Sequence, residues 1–290
     1  MVAIIFGANG QDGYYLEQLL NEQRVSSVGV SRSGDFLYLD ITDFVAVNDL
    51  IGRHQPAYIF HLAANSTTGH HGLFDNHNAI STGTINILEA VKRSSPESKV
   101  FLSGSGLQFV NTGAPIKETD PFEASSVYSV ARIHSVYAAR YYRTLGLKIY
   151  VGYFFNHESP RRTDRHISKM ITEAVKRINN GSDEKIQIGD MSVKKEWTFA
   201  KDVMQGAVTL IKQDQVFEAV IGSGIGYSIE EYLHKCFTAI NKDWRSHVVA
   251  KDNFTAQYKQ LVSNPATINS LGWIADTSFD ELVTMMLADA

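Results

Sequence analysis

Short apolar runs alternate with amphipathic stretches through the first half of the chain. The run VAIIF at 2–6 has the length and composition of a strand buried on both faces, and 11–23 carries its apolar residues on one helical face. The same alternation predicts strands over 28–31, 36–39, 58–62, 100–102 and 148–152, with helices over 43–53, 76–92 and 126–145. Strands alternating with helices of this length predict an α/β fold built on a doubly wound parallel sheet. After Phe155 the pattern changes, because polar, Arg-rich and Gly-rich pieces interrupt the helices. Here the spacing predicts a loop at 159–162, a helix over 166–179, a short strand at 186–188, a helical stretch over 199–213 and a strand at 219–221. Two more helices, over 228–240 and 279–287, close the chain.

Composition narrows the partners. With 290 residues, 44% hydrophobic and 20% charged, the chain can bury an ordinary globular core. A formal net charge of −4 argues against a general nucleic-acid or membrane-surface binder, which leans on a basic field. The single cysteine, Cys236, excludes an internal disulfide framework, and no secretory pattern precedes the first strand, so a cytoplasmic protein is expected. His70 and His71 have no cysteine or acid at ligand spacing, and no metal site is expected.

The candidate chemistry starts where the first apolar run breaks into glycines spaced by two, at Gly7, Gly10 and Gly13. A strand feeding such a turn and then a helix offers unpaired N–H groups to a pyrophosphate, although the spacing differs from the G-x-G-x-x-G dinucleotide fingerprint. After the second strand, where an acid would bind a ribose 2′-hydroxyl, the chain has Ser31-Arg32-Ser33, and an arginine there suits the 2′-phosphate of NADP. Asp40, further on, is placed to meet an adenine amino group, though Asp-Ile-Thr-Asp is also a helix-start signature. Tyr128 and Arg132 are spaced i, i+4, which puts phenol and guanidinium on one helix face; a cation beside a tyrosine favours phenolate and suits it to exchange a proton during hydride transfer.

These pieces, with His61-Leu62-Ala63-Ala64 after a mid-sheet strand, resemble the extended short-chain dehydrogenase/reductases (the NAD-dependent epimerase/dehydratase family) that modify nucleotide sugars. Within them the likeness is to the GDP-mannose 4,6-dehydratase family and runs from end to end. It is carried by GQDG at 10–13, FNHESPRR at 155–162, Trp197 with AKDV at 200–203, and the ending from Pro265 to Trp273 followed by FDELV at 279–283. The resemblance implies an NADP-binding Rossmann domain over 1–155, with returning segments at about 199–221. A smaller C-terminal substrate-binding domain, 156–198 and 222–290, would clasp a nucleoside diphosphate sugar, a GDP-hexose, and a homodimer paired through the long helix is expected, with Tyr137, Tyr141 and Tyr142 as candidates for the contact. In the family a tyrosine takes the proton of the sugar 4-hydroxyl as hydride leaves C4; a glutamate then takes the C5 proton as water leaves C6, and hydride returns to C6. Residues and resemblance together place Gly7, Asn9, Gly10, Gln11, Asp12, Gly13, Arg32, Asp40, Ile41, Leu62, Ala63, Ala64, Tyr128, Arg132 and Arg161 around the cofactor. Tyr128, Arg132, Ser103 and Ser105 are the catalytic candidates, and Asn156, Glu158, Lys169 and Lys195 the substrate-binding ones, Lys195 standing where the family has a diphosphate-binding arginine.

Three catalytic slots depart from that pattern, and two nucleotide-reading ones do as well. Gly104 and Gly106 occupy the slots of the family's hydroxyl residue and of its glutamate, and Arg132 replaces the usual lysine. Phe254 and Gln257 stand where an arginine and a glutamate would read the nucleotide. Three functions remain open at this point: a GDP-mannose dehydratase in which Glu118, Asp120 or a water replaces the lost base; an NADPH-dependent sugar-nucleotide 4-ketoreductase or 4-epimerase, which needs no C5 base; and a catalytically silent nucleotide-binding relative.

Overall fold

The computed structural model describes residues 1–252 and 254–288. In the first half, strands β1 (Val2–Phe6), β2 (Ser26–Val30), β3 (Tyr58–His61), β4 (Lys99–Ser105) and β5 (Lys148–Phe154) alternate with helices α1 (Gln11–Glu22), α2 (Phe44–His54), α3 (Leu73–Asn76), α4 (Gly83–Ser94) and α5 (Val127–Thr144). The second half holds β6 (His157–Glu158), α6 (Ile167–Asn179), β7 (Ile186–Ile188), β8 (Lys194–Glu196), β9 (Thr198–Phe199), α7 (Ala200–Ile211), β10 (Glu218–Ile221), β11 (Gly226–Ser228), α8 (Ile229–Thr238), β12 (Val248–Ala250), β13 (Gln260–Leu261), α9 (Ala266–Ser270) and α10 (Phe279–Ala288).

Six strands form one parallel sheet in the order β10-β5-β4-β3-β1-β2. The order reverses between β1 and β3, and such a switch point leaves a crevice outside the carboxyl ends of the strands. Alternate residues of the buried strands feed two cores. Ile4, Phe6, Val100 and Leu102 meet α2, α4 and α5 on one face, while Ala3, Ile5, Phe60 and Phe101 meet α1 and α7 on the other. Ile268 and Trp273 also lie in the second of these cores, although the sequence grouped them with the substrate unit. A third core joins α6, α8 and α10 through Trp197 stacked on Tyr232 at 4.2 Å and Tyr227 on Phe279 at 4.1 Å.

Two expectations need correction. No strand forms over 36–39; the segment turns back at Gly34 and touches β2 through a single bridge, Val30 to Leu37, with the Phe36 ring laid over Gly29. The helix expected over 76–92 is broken into α3, a π-helical stretch at His77–Thr82 and α4. Of the tyrosines on α5, Tyr137 and Tyr141 are exposed, whereas Tyr142 is buried and donates its hydroxyl hydrogen to Glu89.

The C-terminal part is tied to the sheet at one rim. The Ile116 N–H donates to the Val262 carbonyl at 2.9 Å, and the Asn264 N–H to the Ile116 carbonyl at 2.7 Å. Asn111 donates to the Gln260 carbonyl at 2.7 Å, and Gln260 returns a bond to the Gly113 carbonyl.

Candidate active site

At the end of β1 the chain turns through Gly7, whose φ of +94° and close approach to Ala63 leave no room for a Cβ. An added Cβ on Gly13 would sit 2.6 Å from the Gly7 carbonyl oxygen, so helix and turn pack backbone on backbone. Gly10 caps α1 without a side-chain bond, which leaves the first N–H groups of the helix open to the crevice.

Two adjoining cavities share this turn. One, of about 390 Å³, is lined by Gly7, Gly10, Gln11, Asp12, Gly13, Leu62, Ala64, Ser103, Ser105, Tyr128, Arg132, Asn156 and Arg161. The other, of about 570 Å³, is lined by Gly7, Asn9, Gly10, Arg32, Asp40, Ile41, Leu62, Ala63 and Ala64. Together they make an elongated groove with an anion-binding helix end at its middle, the shape and donor set of a dinucleotide site. Asp40 turns its carboxylate onto Thr42, accepting from both N–H and hydroxyl, and these bonds hold it below the usual carboxylate range.

Around the first cavity the catalytic candidates converge. Ser126 and Ser129 form a capping box at the start of α5, which sets Tyr128 in the first turn, 9% exposed and with no protein partner for its hydroxyl among the described residues. The Arg132 guanidinium lies 5.1 Å from the Tyr128 ring centre. It also donates to the Ser103 hydroxyl oxygen at 2.8 Å and to the Ser103 carbonyl. Ser103 in turn donates its proton to the His61 carbonyl at 3.0 Å. Ser105 accepts from the Leu107 N–H at 3.2 Å and keeps its own proton for another acceptor. His61 lies beneath, its ring nitrogens without partners among the described residues; burial, reinforced by the Arg132 charge, pushes its pKa down to about 3 and keeps it neutral.

Neither glycine slot is empty space. A Cβ on Gly106 would fall 2.9 Å from the Phe155 ring, and one on Gly104 2.6 Å from that of Tyr153. Phe155 is 3% exposed and fills the place a carboxylate side chain at 106 would need. Glu118 is not its substitute, since it binds the Thr267 hydroxyl and the Val220 N–H; Asp120 caps the Lys117 N–H, and both face a different surface recess.

Three expected substrate contacts stand behind the cavity wall. Glu158, 2% exposed, accepts from Arg162 at 3.0 Å and Ser168 at 2.6 Å. Lys195 is buried with its ammonium 4.4 Å from the Trp197 ring centre, and burial lowers its pKa. Lys169 pairs with Glu173 at 2.8 Å. The short strands β6 and β8 turn Glu158 and Lys195 into the C-terminal core, and Lys169 lies on α6 beside its partner Glu173. Arg162, Arg165 and His166, which the sequence left without a role, line the cavity instead. The Arg161 guanidinium lies over Tyr14, 3.9 Å from the ring centre.

His157 was also missed as an individual residue, although it belongs to the FNHESPRR run. Its Nδ1 donates to the Phe155 carbonyl at 2.7 Å and its Nε2 to Asp12 at 2.9 Å. Burial works against charge on both partners, but the mutual attraction overcomes it: Asp12 is held well below the usual carboxylate range and His157 is raised. Ser159 donates to Gln11 at 2.7 Å, so two consecutive residues of α1 are fastened to the C-terminal segment.

A family model described as GDP-mannose 4,6 dehydratase matches residues 4–286. GDP-mannose 4,6 dehydratase 2 of Arabidopsis thaliana is 27% identical over 319 residues, covering 99% of this chain and 86% of the relative. GDP-mannose 4,6 dehydratase of Homo sapiens is 29% identical over 337 residues, covering 99% and 90%. Among solved structures, UDP-glucose 4-epimerase of Thermus thermophilus in complex with NAD superposes with a TM-score of 0.84 at 18% identity, covering 99% of this chain and 98% of that one. RMD from Pseudomonas aeruginosa complexed with NADPH superposes with a TM-score of 0.86 at 18% identity, covering 99% and 96%. The structural likeness establishes the Rossmann-type fold. No helix among the described residues is long and apolar enough to cross a membrane.

Proposed function

Because the chain belongs to the GDP-mannose 4,6-dehydratase family, we propose that it carries out NADP-dependent hydride transfer at C4 of a nucleoside diphosphate sugar, of the GDP-hexose class, and stops before the elimination of water. The observation that carries this reading is the Phe155 ring against Gly106, with no carboxylate side chain in its place. Hydride exchange at C4 needs a donor or acceptor of one proton; elimination across C5 and C6 needs a base at C5 as well.

The open turn at Gly7, the uncapped start of α1 and the paired cavities fit a dinucleotide, and Arg32 at the far cavity fits the 2′-phosphate of NADP. NADP(H), when bound, supplies or receives the hydride at C4. Tyr128 gives its phenolic proton to O4 as the carbonyl is reduced, and takes it back in the reverse direction. Ser105, whose proton is unspent, donates a hydrogen bond to the same oxygen. Arg132 contributes a fixed positive charge beside the phenol and, through its two bonds to Ser103, is held away from solvent. Asn156 and the guanidinium groups of Arg162 and Arg165 provide neutral and charged donors for the diphosphate of the sugar nucleotide.

Two NMR time courses test the reading. A GDP-linked 4-keto-6-deoxyhexose with NADPH should be consumed, and GDP-mannose with NADP should stay unchanged. Tyr128→Phe should slow the first reaction by about 10²–10⁴-fold while NADPH binding persists. A 4-keto-6-deoxy product formed from GDP-mannose would restore the dehydratase assignment.

A further inference from the structure

Among the described residues a single carboxylate lines the catalytic cavity, that of Asp12, in the first turn of α1 beside the open N–H groups of the helix. An acid there is ordinarily favoured, because it meets the positive end of the helix dipole. Where a pyrophosphate takes the same seat, the carboxylate competes with it and repels it. Asp12 therefore needs a cation of its own. The arginines of the cavity are engaged elsewhere: Arg132 is held on Ser103, Arg161 lies over Tyr14, and Arg162 bonds the Glu158 carboxylate and the His157 carbonyl. Among the described residues the Asp12 side chain accepts from the Gln11 amide at 3.2 Å and from His157 at 2.9 Å, and of these only His157 can carry charge.

The neighbours of His157 fix that charge. Its Nδ1 faces the Phe155 carbonyl at 2.7 Å and its Nε2 faces the Asp12 carboxylate, and both partners can only accept. A neutral imidazole carries one N–H and would leave one of them unmet, so the imidazolium is the form that fits. Burial and the Arg162 charge oppose this form, and attraction to Asp12 overcomes them, so the pKa of His157 is raised. Around it, the Phe154 ring stands edge-on at 5.6 Å and the uncharged Thr198 of β9 holds the paired position. Of the other titratable groups nearby, Glu158 is matched by Arg162, and burial with the Arg162 charge pushes His166 down to about 4 and keeps it neutral.

We propose that His157 is a positioning residue for the dinucleotide: by cancelling the charge of Asp12 it frees the start of α1 for the pyrophosphate. The inference rests on the dinucleotide reading of the turn. Fluorescence titration of the full chain with NADPH compares the native protein with His157→Gln, Asp12→Asn and the double variant. Each Kd is read as a ratio to the native value from about pH 5.5 to about pH 9, because the 2′-phosphate itself titrates near pH 6 in every arm. His157→Gln uncovers the carboxylate and should raise Kd about tenfold at the acid end, and by less as pH rises and native His157 gives up its own proton. Asp12→Asn should bind no more weakly than the native chain at the acid end and more tightly at the alkaline end. The double variant should recover the loss in His157→Gln to within about threefold of native. A role confined to holding the fold gives the opposite pattern: weaker binding in Asp12→Asn, a double variant no better than His157→Gln, and a ratio that does not move with pH. Any of these overturns the inference, while NADPH binding by the native chain leaves the dinucleotide reading standing. If the native chain binds neither NADPH nor NADH, the dinucleotide reading falls and the inference with it.

Discussion

Replacing His157 by glutamine removes a charge from the junction between α1 and the C-terminal segment while keeping a side chain able to hydrogen-bond. In the native chain the imidazolium spends both N–H groups, on the Phe155 carbonyl and on Asp12, with side-chain exposures of 10% for His157 and 24% for Asp12. Hydrogen bonds to charged groups contribute about 1.5–3 kcal/mol, and glutamine recovers part of that, so a loss of roughly 2 kcal/mol is expected. For a chain of this size the loss lowers Tm by roughly 4 °C. Its pH dependence identifies the cause. His157 is raised in the folded state, so its contribution is full below the unfolded value of about 6.5 and disappears as pH climbs through the raised one. Asp12 is depressed, so its contribution is full above about 3.9 and disappears as pH falls toward its folded value. Arg162 repels the imidazolium and narrows the window from the alkaline side. Melting curves of both proteins from pH 4 to pH 9 should therefore differ most between about pH 4 and 6.5 and converge at higher pH. A gap that stays constant, or widens as pH rises, would refute the charged pair.

Two further substitutions probe the departures from the family pattern. Gly106→Glu forces its Cβ to within 2.9 Å of the Phe155 ring, so a loss of about 1–3 kcal/mol is expected in denaturant titration without any gain of dehydratase product; an unchanged midpoint would show that Phe155 yields easily. Arg32→Ala removes one of the two arginines that line the far cavity and should raise the Kd for NADPH by about tenfold in fluorescence titration while changing that for NADH by less than about twofold; equal losses would remove Arg32 as the 2′-phosphate contact.

The sheet was legible because its central strands β1, β3, β4 and β5 are largely buried and read as mostly apolar runs, and because α1, α2 and α5 carry clear helical spacing. The strand expected at 36–39 failed for a local reason: its apolar residues serve a loop that lies over Gly29. In the C-terminal part, β6, β8, β9, β11 and β13 run two or three residues each, too short for any period to register. The cofactor side of the site could be read from adjacent residues in one turn. The catalytic side could not, since the occupant of the glutamate slot, Phe155, comes from the segment that follows β5, and only the fold brings it against Gly106. Likewise Glu158 and Lys195 read as polar residues near a motif, and nothing in their spacing announces that β6 and β8 turn them inward.

The bonds that join Ile116 to Val262 and Asn264, and Asn111 to Gln260, sew the two halves of the crevice together along one margin, while those from His157 and Ser159 fasten α1 to the C-terminal segment elsewhere. Leu261, on that margin, lines both the catalytic cavity and a neighbouring recess that also holds Leu107. The opposite margin is the 161–166 loop, whose Thr163 and Arg165 face both the catalytic cavity and the far one. The stitched margin is held largely by main-chain hydrogen bonds, whereas the other is formed by residues that the two cavities share. A ligand spanning both cavities therefore meets the same two residues, Thr163 and Arg165, from either end.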